Sequence, residues 1–324
     1  MDDHISNISA TEPETQTPEF IYPPKPIIQL KENNLLLQSI SSLSFYLIAG
    51  YFFFNQNWVL LLVLTVVVLF HEMGHFLAMK YYGYGDLGIF FIPLLGAFVS
   101  GTKQTISQKQ SAIILMAGPL PGIVLGILLY FIATKNQFFF LEQISWMLVF
   151  LNLLNLLPIY PLDGGQLLNR VFMNDHNLVG KIFFLLSVIL FSWFAIHFHF
   201  LPLLFFPAYM LYKMWGNFRY EKIIEKIETE GINLETSYDT ISDTDYWKIR
   251  AALIKHHPDL KDIPSASEFV LDEKENKIVE VMQSVLQQTF IMDAGISYKI
   301  ILLLIWIACF LIPFIYNFSF PFFN

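Results

Sequence analysis

Apolar residues in this chain fall in long runs, without the period of a soluble helix or strand. The runs cover residues 34–54, 58–81, 112–133, 138–158, 179–200, 201–215 and 300–315. About twenty apolar residues suffice to cross a bilayer, so these runs predict about seven transmembrane helices, two of them short. Residues 83–101 are too short and too glycine-broken for another span, and two apolar runs meeting across Pro93 to Gly96 predict a re-entrant β-hairpin. Between 216 and 296 the pattern changes to apolar positions at helical spacing, predicting amphipathic helices over 218–230, 245–257 and 267–290. The resulting fold class is an all-α polytopic membrane protein with a re-entrant hairpin and a small helical cytosolic domain. Four segments follow: an acidic, proline-rich tail at 1–33, a transmembrane core at 34–215, an acidic helical domain at 216–296, and a C-terminal transmembrane helix at 297–324.

Composition agrees with this patterning. Of 324 residues 55% are hydrophobic and only 14% charged, and the mean hydropathy is +0.52. The single cysteine, Cys309, excludes an intrachain disulfide and a cysteine-rich metal site. The tail carries five acidic residues, Asp2, Asp3, Glu12, Glu14 and Glu19, with a proline-rich patch at Pro18, Pro23, Pro24 and Pro26, and no basic segment precedes an apolar core. A flexible cytosolic tail, extended at the prolines, is expected there instead of a cleaved signal peptide, with docking as the alternative.

The candidate chemistry interrupts the second run at His71-Glu72-Met73-Gly74-His75. Ionisable groups inside a membrane helix are costly and usually line a cavity. On a helix His71 and His75 project from one face a turn apart, so both imidazoles can hold one metal ion, with Glu72 beside them as general base. A third ligand is expected at Asp163, in Asn155-Leu-Leu-Pro158-Ile-Tyr-Pro161-Leu162-Asp163-Gly164-Gly165. Its prolines and glycines should unwind the fourth run. Two histidines and one carboxylate leave a coordination position open, as in catalytic zinc sites. Asn155 is a candidate for holding substrate backbone, a helix-capping asparagine being the alternative. Gly96, at the hairpin, is a second candidate substrate contact.

These motifs, together with Ala117-Gly118-Pro119, resemble the site-2 protease family of intramembrane zinc metalloproteases over residues 35 to 215. The resemblance implies His71, His75 and Asp163 as ligands of one Zn2+ per chain and Glu72 as general base. It also favours a substrate strand adding to the hairpin edge. One departure is Pro121-Gly122, where family members often carry an asparagine.

Charge orients the chain. With a cytosolic N-terminus and single crossings, Lys135 alone of the 19 basic residues lies outside, a strong positive-inside bias. Residues 216–296 hold 16 acidic and 9 basic residues, which argues against nucleic-acid binding. The reading is therefore a multi-pass protein of the cell membrane, suited to a bacterial plasma membrane. Its partners are the lipid bilayer and a membrane-protein substrate whose transmembrane segment is hydrolysed. A catalytically silent zinc-binding membrane protein with a regulatory or scaffold role is the alternative.

Overall fold

The computed structural model describes residues 22–27, 34–93, 96–173, 178–199, 201–260, 263, 274–286 and 289–315. Most of the tail, His176 and the aromatic residues after 315 lie outside the described residues. In chain order the elements are α1 (Leu35–Phe53), α2 (Trp58–Tyr81), β1 (Gly85–Ile92), β2 (Gly96–Thr102), β3 (Thr105–Ser107), α3 (Gln108–Ala117), α4 (Pro119–Asn136), α5 (Phe139–Asn155) and α6 (Asp163–Leu167). They continue as α7 (Leu178–His197), α8 (Phe205–Thr229), α9 (Asp243–His256), α10 (Glu275–Val285), β4 (Thr289–Ile291) and α11 (Ile296–Ile315). The chain is mostly helical with a small strand component.

Five helices among the described residues are long and apolar enough to cross a membrane: Leu35–Phe53, Trp58–Tyr81, Gln108–Asn136, Leu178–His197 and Ile296–Pro313. The third is α3 and α4 in series, meeting at Gly118 and Pro119. Proline there removes a backbone donor, but as the first residue of α4 it fits the fixed φ of a helix start. α5 is apolar but shorter, at 17 residues. The run at 201–215 becomes a short 3-10 turn, Leu201–Leu204, followed by α8, which continues through position 215 to Thr229. Gly216 does not stop it, since one helical glycine costs only ~1 kcal/mol. The expected domain boundary at 215/216 therefore falls inside a helix.

In the larger compact unit, which holds α1 to α7, β1 to β4 and α11, α2 crosses the centre. Asn57 caps it, accepting the Leu60 N–H at 3.1 Å. Behind it α3, α4, α5, α6 and α11 enclose an apolar core of Ala112, Leu115, Trp146, Val149, Leu156 and Leu302. β1 and β2 form an antiparallel hairpin in which Ile89 faces Val99 and Phe91 faces Ala97; residues 94 and 95 at its tip lie outside the described residues. The serines of α1, small polar residues in an apolar run, suit a helix packed against other helices. α1 instead packs chiefly on β1, where Ser42 Oγ accepts the Phe91 N–H at 3.1 Å, while Ser41 and Ser44 return their hydroxyls to carbonyls one turn back.

A second strand pair corrects the all-α expectation. Thr105–Ser107 pairs in parallel with Thr289–Ile291, so the expected amphipathic helix over 267–290 ends at Val285. The β-branched and aromatic Thr-Phe-Ile stretch finds ladder partners on β3 and leaves the helix.

The smaller unit is built on α9 and α10. Ser242 caps α9 by accepting the Asp245 N–H, and Asp243 and Asp245 occupy its first turn while Lys255 and His256 occupy its last, both favourable to the helix dipole. Ile278, Val279, Met282 and Val285 of α10 bury one stripe against Ile249 and Leu253 of α9. Within this core Arg250, 3% exposed, makes two charge-assisted bonds to Glu275, 6% exposed, at 2.7 and 2.8 Å, and Tyr246 donates its hydroxyl to the same carboxylate. Removing one member of such a pair strands the other in low dielectric. Glu275→Ala should therefore destabilise this unit by about 3 kcal/mol. Hydrogen exchange of the α9 amides is the measure, and a change below ~1 kcal/mol contradicts the assignment.

Candidate metal centre

The site begins with the spacing on α2. His71 and His75 lie one turn apart and are 5% and 8% exposed, their ring centroids 4.8 Å apart. Each ring is fixed by its Nδ1. That of His71 donates to Asn152 Oδ1 at 2.7 Å, and that of His75 donates to the Ile114 carbonyl at 2.8 Å. The amide orientation of Asn152 follows from its other end, where Nδ2 donates to the Leu148 carbonyl at 2.7 Å. With both Nδ1 atoms occupied as donors, both Nε2 atoms present lone pairs, and they lie 3.0 Å apart.

Asp163 reaches them from a different part of the chain. α5 ends at Asn155, residues 156–162 run without regular helix through a cis Tyr160–Pro161 bond, and α6 starts on Asp163. Backbone groups released by this unwinding are recovered locally: Trp306 Nε1 donates to the Leu156 carbonyl at 2.9 Å, Tyr160 N–H donates to Ser187 Oγ at 3.1 Å, and Gln166 Nε2 donates to the Pro161 carbonyl at 2.9 Å. Such compensation makes irregular backbone tolerable at membrane depth. α6 also folds back closely, since a Cβ on Gly164 would lie 1.9 Å from the Leu156 carbonyl oxygen. The result places Asp163 Oδ2 3.0 Å from His71 Nε2 and 3.2 Å from His75 Nε2.

Three acceptor atoms thus converge in a buried space. A proton on one Nε2 can satisfy the carboxylate, but the second Nε2 then directs a lone pair at the same oxygen. One cation satisfies all three. Tetrahedral zinc ligands at ~2.0–2.1 Å are separated by roughly 3.3 Å, close to the spacings here. The donor set therefore fits zinc, which His71, His75 and Asp163 would hold.

Glu72 is 6% exposed and stands outside this trio. A cavity of about 1120 Å3 opens on the site, lined by His71, Glu72, His75 and Asp163, with Asn155 and Gly96 also on its wall. Asn155 ends α5, half-buried, and Gly96 opens β2 with φ +104°. The structure thus places all six residues singled out in the sequence around one space.

Residues 59–140 match the family model described as peptidase family M50. Among curated relatives, a zinc metalloprotease of Methanocaldococcus jannaschii is 31% identical over 118 residues, 35% of this chain and 34% of its own. Stage IV sporulation protein FB of Bacillus subtilis is 31% identical over 116 residues, 35% of this chain and 40% of its own. The matches thus span well under half the length of either relative. A solved structure, the site-2 protease from Methanocaldococcus jannaschii, aligns over 54% of this chain and 85% of its own at 24% identity, with a TM-score of 0.40. The M50 segment includes His71, Glu72, His75 and Gly118 and stops short of Asp163, whose place beside them rests on the distances above.

Sequence reading missed Asn152 and its bond to His71. The available signal was an amide in mid-helix at membrane depth, expensive unless both ends find partners. The departure at Pro121-Gly122 is connected to it: a Cβ on Gly122 would lie 2.2 Å from Asn152 Nδ2, and one on Gly118 2.3 Å from His75 Nε2. Small residues of the M50 segment leave the space that the ligands and their supports occupy.

Groups that orient a metal-bound imidazole typically contribute ~10–100-fold in affinity. Asn152→Leu should lower zinc affinity by about that factor, while Asn152→Asp, which still accepts from Nδ1, retains it. Competition against a chelator reads both; equal affinity in Asn152→Leu contradicts the role.

Proposed function

We propose that this multi-pass membrane protein is a zinc metalloendopeptidase that hydrolyses a peptide bond in a transmembrane segment of a membrane-protein substrate. The observation that carries the reading is the convergence of His71, His75 and Asp163 beside a buried carboxylate, Glu72, that is not part of the trio. When bound, zinc supplies Lewis-acid polarisation of the scissile carbonyl and lowers the pKa of a coordinated water. Glu72 is the general base: it accepts the proton of the attacking water and returns it to the leaving amine.

Substrate access follows from the apolar wall of the cavity. A segment arriving laterally from the bilayer loses little solvation there, whereas a soluble peptide would be stripped of water. The β1–β2 hairpin enters the membrane in this reading, and β2 from Gly96 to Thr102 offers its edge to an unwound substrate strand. Asn155 holds the substrate backbone. Counting α5 and the apolar start of α8 with the five long helices gives seven spans, with the N-terminus and the 216–296 region on the cytosolic side of a bacterial plasma membrane. The peptidase family M50 segment and the zinc metalloprotease among the relatives support the reading.

Detergent-purified protein tests it, with metal content and cleavage of a fused transmembrane segment measured on the same samples. Wild type should carry about one zinc per chain and cleave. Glu72→Gln should keep the zinc and lose cleavage by at least ~100-fold. Asp163→Ala should lose both. Zinc without cleavage in wild type across several segments would leave a silent zinc-binding protein, and undiminished turnover in Glu72→Gln would remove the assigned base.

A further inference from the structure

The smaller unit holds a segment of its own chain in a way the protease reading does not use. Residues 22–27 read Tyr-Pro-Pro-Lys-Pro-Ile, with prolines three apart at Pro23 and Pro26. Proline fixes φ near −65° and has no N–H, so such a stretch is extended before it meets any surface and offers carbonyls in place of donors. In a helix of three residues per turn the carbonyls of residues 23 and 26 share one edge.

Two aromatic donors read that edge. Trp247 Nε1 on α9 donates to the Pro23 carbonyl at 2.7 Å, and Tyr238 Oη donates to the Pro26 carbonyl at 2.8 Å. Burial, with the charges of Glu275 and Asp239, pushes the Tyr238 hydroxyl up to about 12, so it remains a donor throughout the physiological range. Between the two prolines lies Lys25, and both its ends are taken. Its backbone N–H donates to Asp243 Oδ1 at 2.8 Å. Its Nζ donates to the carbonyls of Tyr238, Asp239 and Ile241 at 2.7, 3.0 and 2.9 Å, and lies 5.5 Å from the centre of the Tyr238 ring. Three carbonyls and an aromatic face make a pocket for a cation and repel an anion. Beneath it the Arg250 guanidinium lies 5.1 Å from the Trp247 ring, so the buried Arg250–Glu275 pair braces the reading residue.

Aromatic side chains that donate to carbonyls of an extended proline stretch are the means by which proline-rich segments are recognised between proteins. We propose that the unit built on α9 and α10 is a proline-rich-segment recognition module, with residues 22–27 as its ligand in cis and Lys25 as the specificity position. The sequence it reads is Pro-x-Lys-Pro, with the lysine ammonium in the carbonyl pocket. The contact is a displaceable latch tying the N-terminal segment to the acidic unit. A partner with an exposed stretch of the same chemistry competes for the groove. The inference holds whether or not the chain is a protease, since none of these residues lines the metal site.

The test uses full-length protein in detergent and a fluorescent, end-capped peptide, Tyr-Pro-Pro-Lys-Pro-Ile, followed by anisotropy. A ligand tethered in cis has an effective concentration on the order of mM, so a peptide of ~100 µM intrinsic affinity binds wild type about tenfold more weakly than it binds an open groove. Lys25→Glu opens the groove, because its carboxylate faces three carbonyls and Asp243. This variant should bind the peptide about tenfold more tightly than wild type. Adding Trp247→Phe, which keeps a ring and removes the donor, should reverse most of the gain. A control peptide with glutamate in place of lysine should not bind. Equal peptide affinity in wild type and Lys25→Glu overturns the proposal. Hydrogen exchange gives an independent reading: the Lys25 amide should be protected in wild type and exposed in Lys25→Glu, while Ile249 and Leu253 remain protected in both. A Lys25 amide exchanging at the free-chain rate in wild type overturns the latch without recourse to any variant.

Discussion

The structure of the larger unit depends on one constraint: α2 buries two imidazoles and a carboxylate in a helix that otherwise matches lipid. Each such group costs a few kcal/mol unless its polar atoms are satisfied. Nearly every neighbouring feature answers that cost. Asn152 and the Ile114 carbonyl take the outer nitrogens, and Asp163 closes the inner face. The helices that supply these partners, α3 and α5, are also the ones whose apolar faces make the core around Trp146 and Val149. Packing and site construction are here the same contacts.

A second cost is incurred in bringing Asp163 to the site. α5 must stop and the chain must turn back inside a region where unpaired backbone groups are not tolerated. Trp306 from α11 and Ser187 from α7 each satisfy one of the released groups, so helices distant in sequence stabilise a turn they do not belong to. Gly164 lets the returning helix lie against the strand of chain it has just left. A site assembled this way is rigid because its supports are the fold itself, which suits a metal centre whose ligand positions must hold to fractions of an ångström.

The smaller unit solves a different problem. It places a bonded Arg250–Glu275–Tyr246 cluster among its buried apolar side chains. Such a network favours one packing over others of similar hydrophobic content. Its acidic surface and its carbonyl pocket both prefer a cationic ligand, and Lys25 provides one from the same chain.

Local signals determined much of this protein. Run length and the absence of charge gave the membrane helices, since a bilayer imposes a length that composition alone can meet. The four-residue spacing of His71 and His75 gave a shared face because an α-helix has a fixed turn, and the proline and glycine cluster around Asp163 gave the unwinding. The limits of local reading are equally physical. Helix ends at α8 and α10 were misplaced because one glycine is a weak break and because β4 exists only through its partner β3, some 180 residues away in sequence. Lys25 carried no local mark of its role, and Asn152 only that of an amide in an apolar helix, since a hydrogen bond depends on what lies opposite. The sequence by itself therefore singled out residues that could hold a metal ion. The tertiary structure decided that His71, His75 and Asp163 meet at about 3 Å, which groups orient them, and that residues 22–27 have a groove to fill.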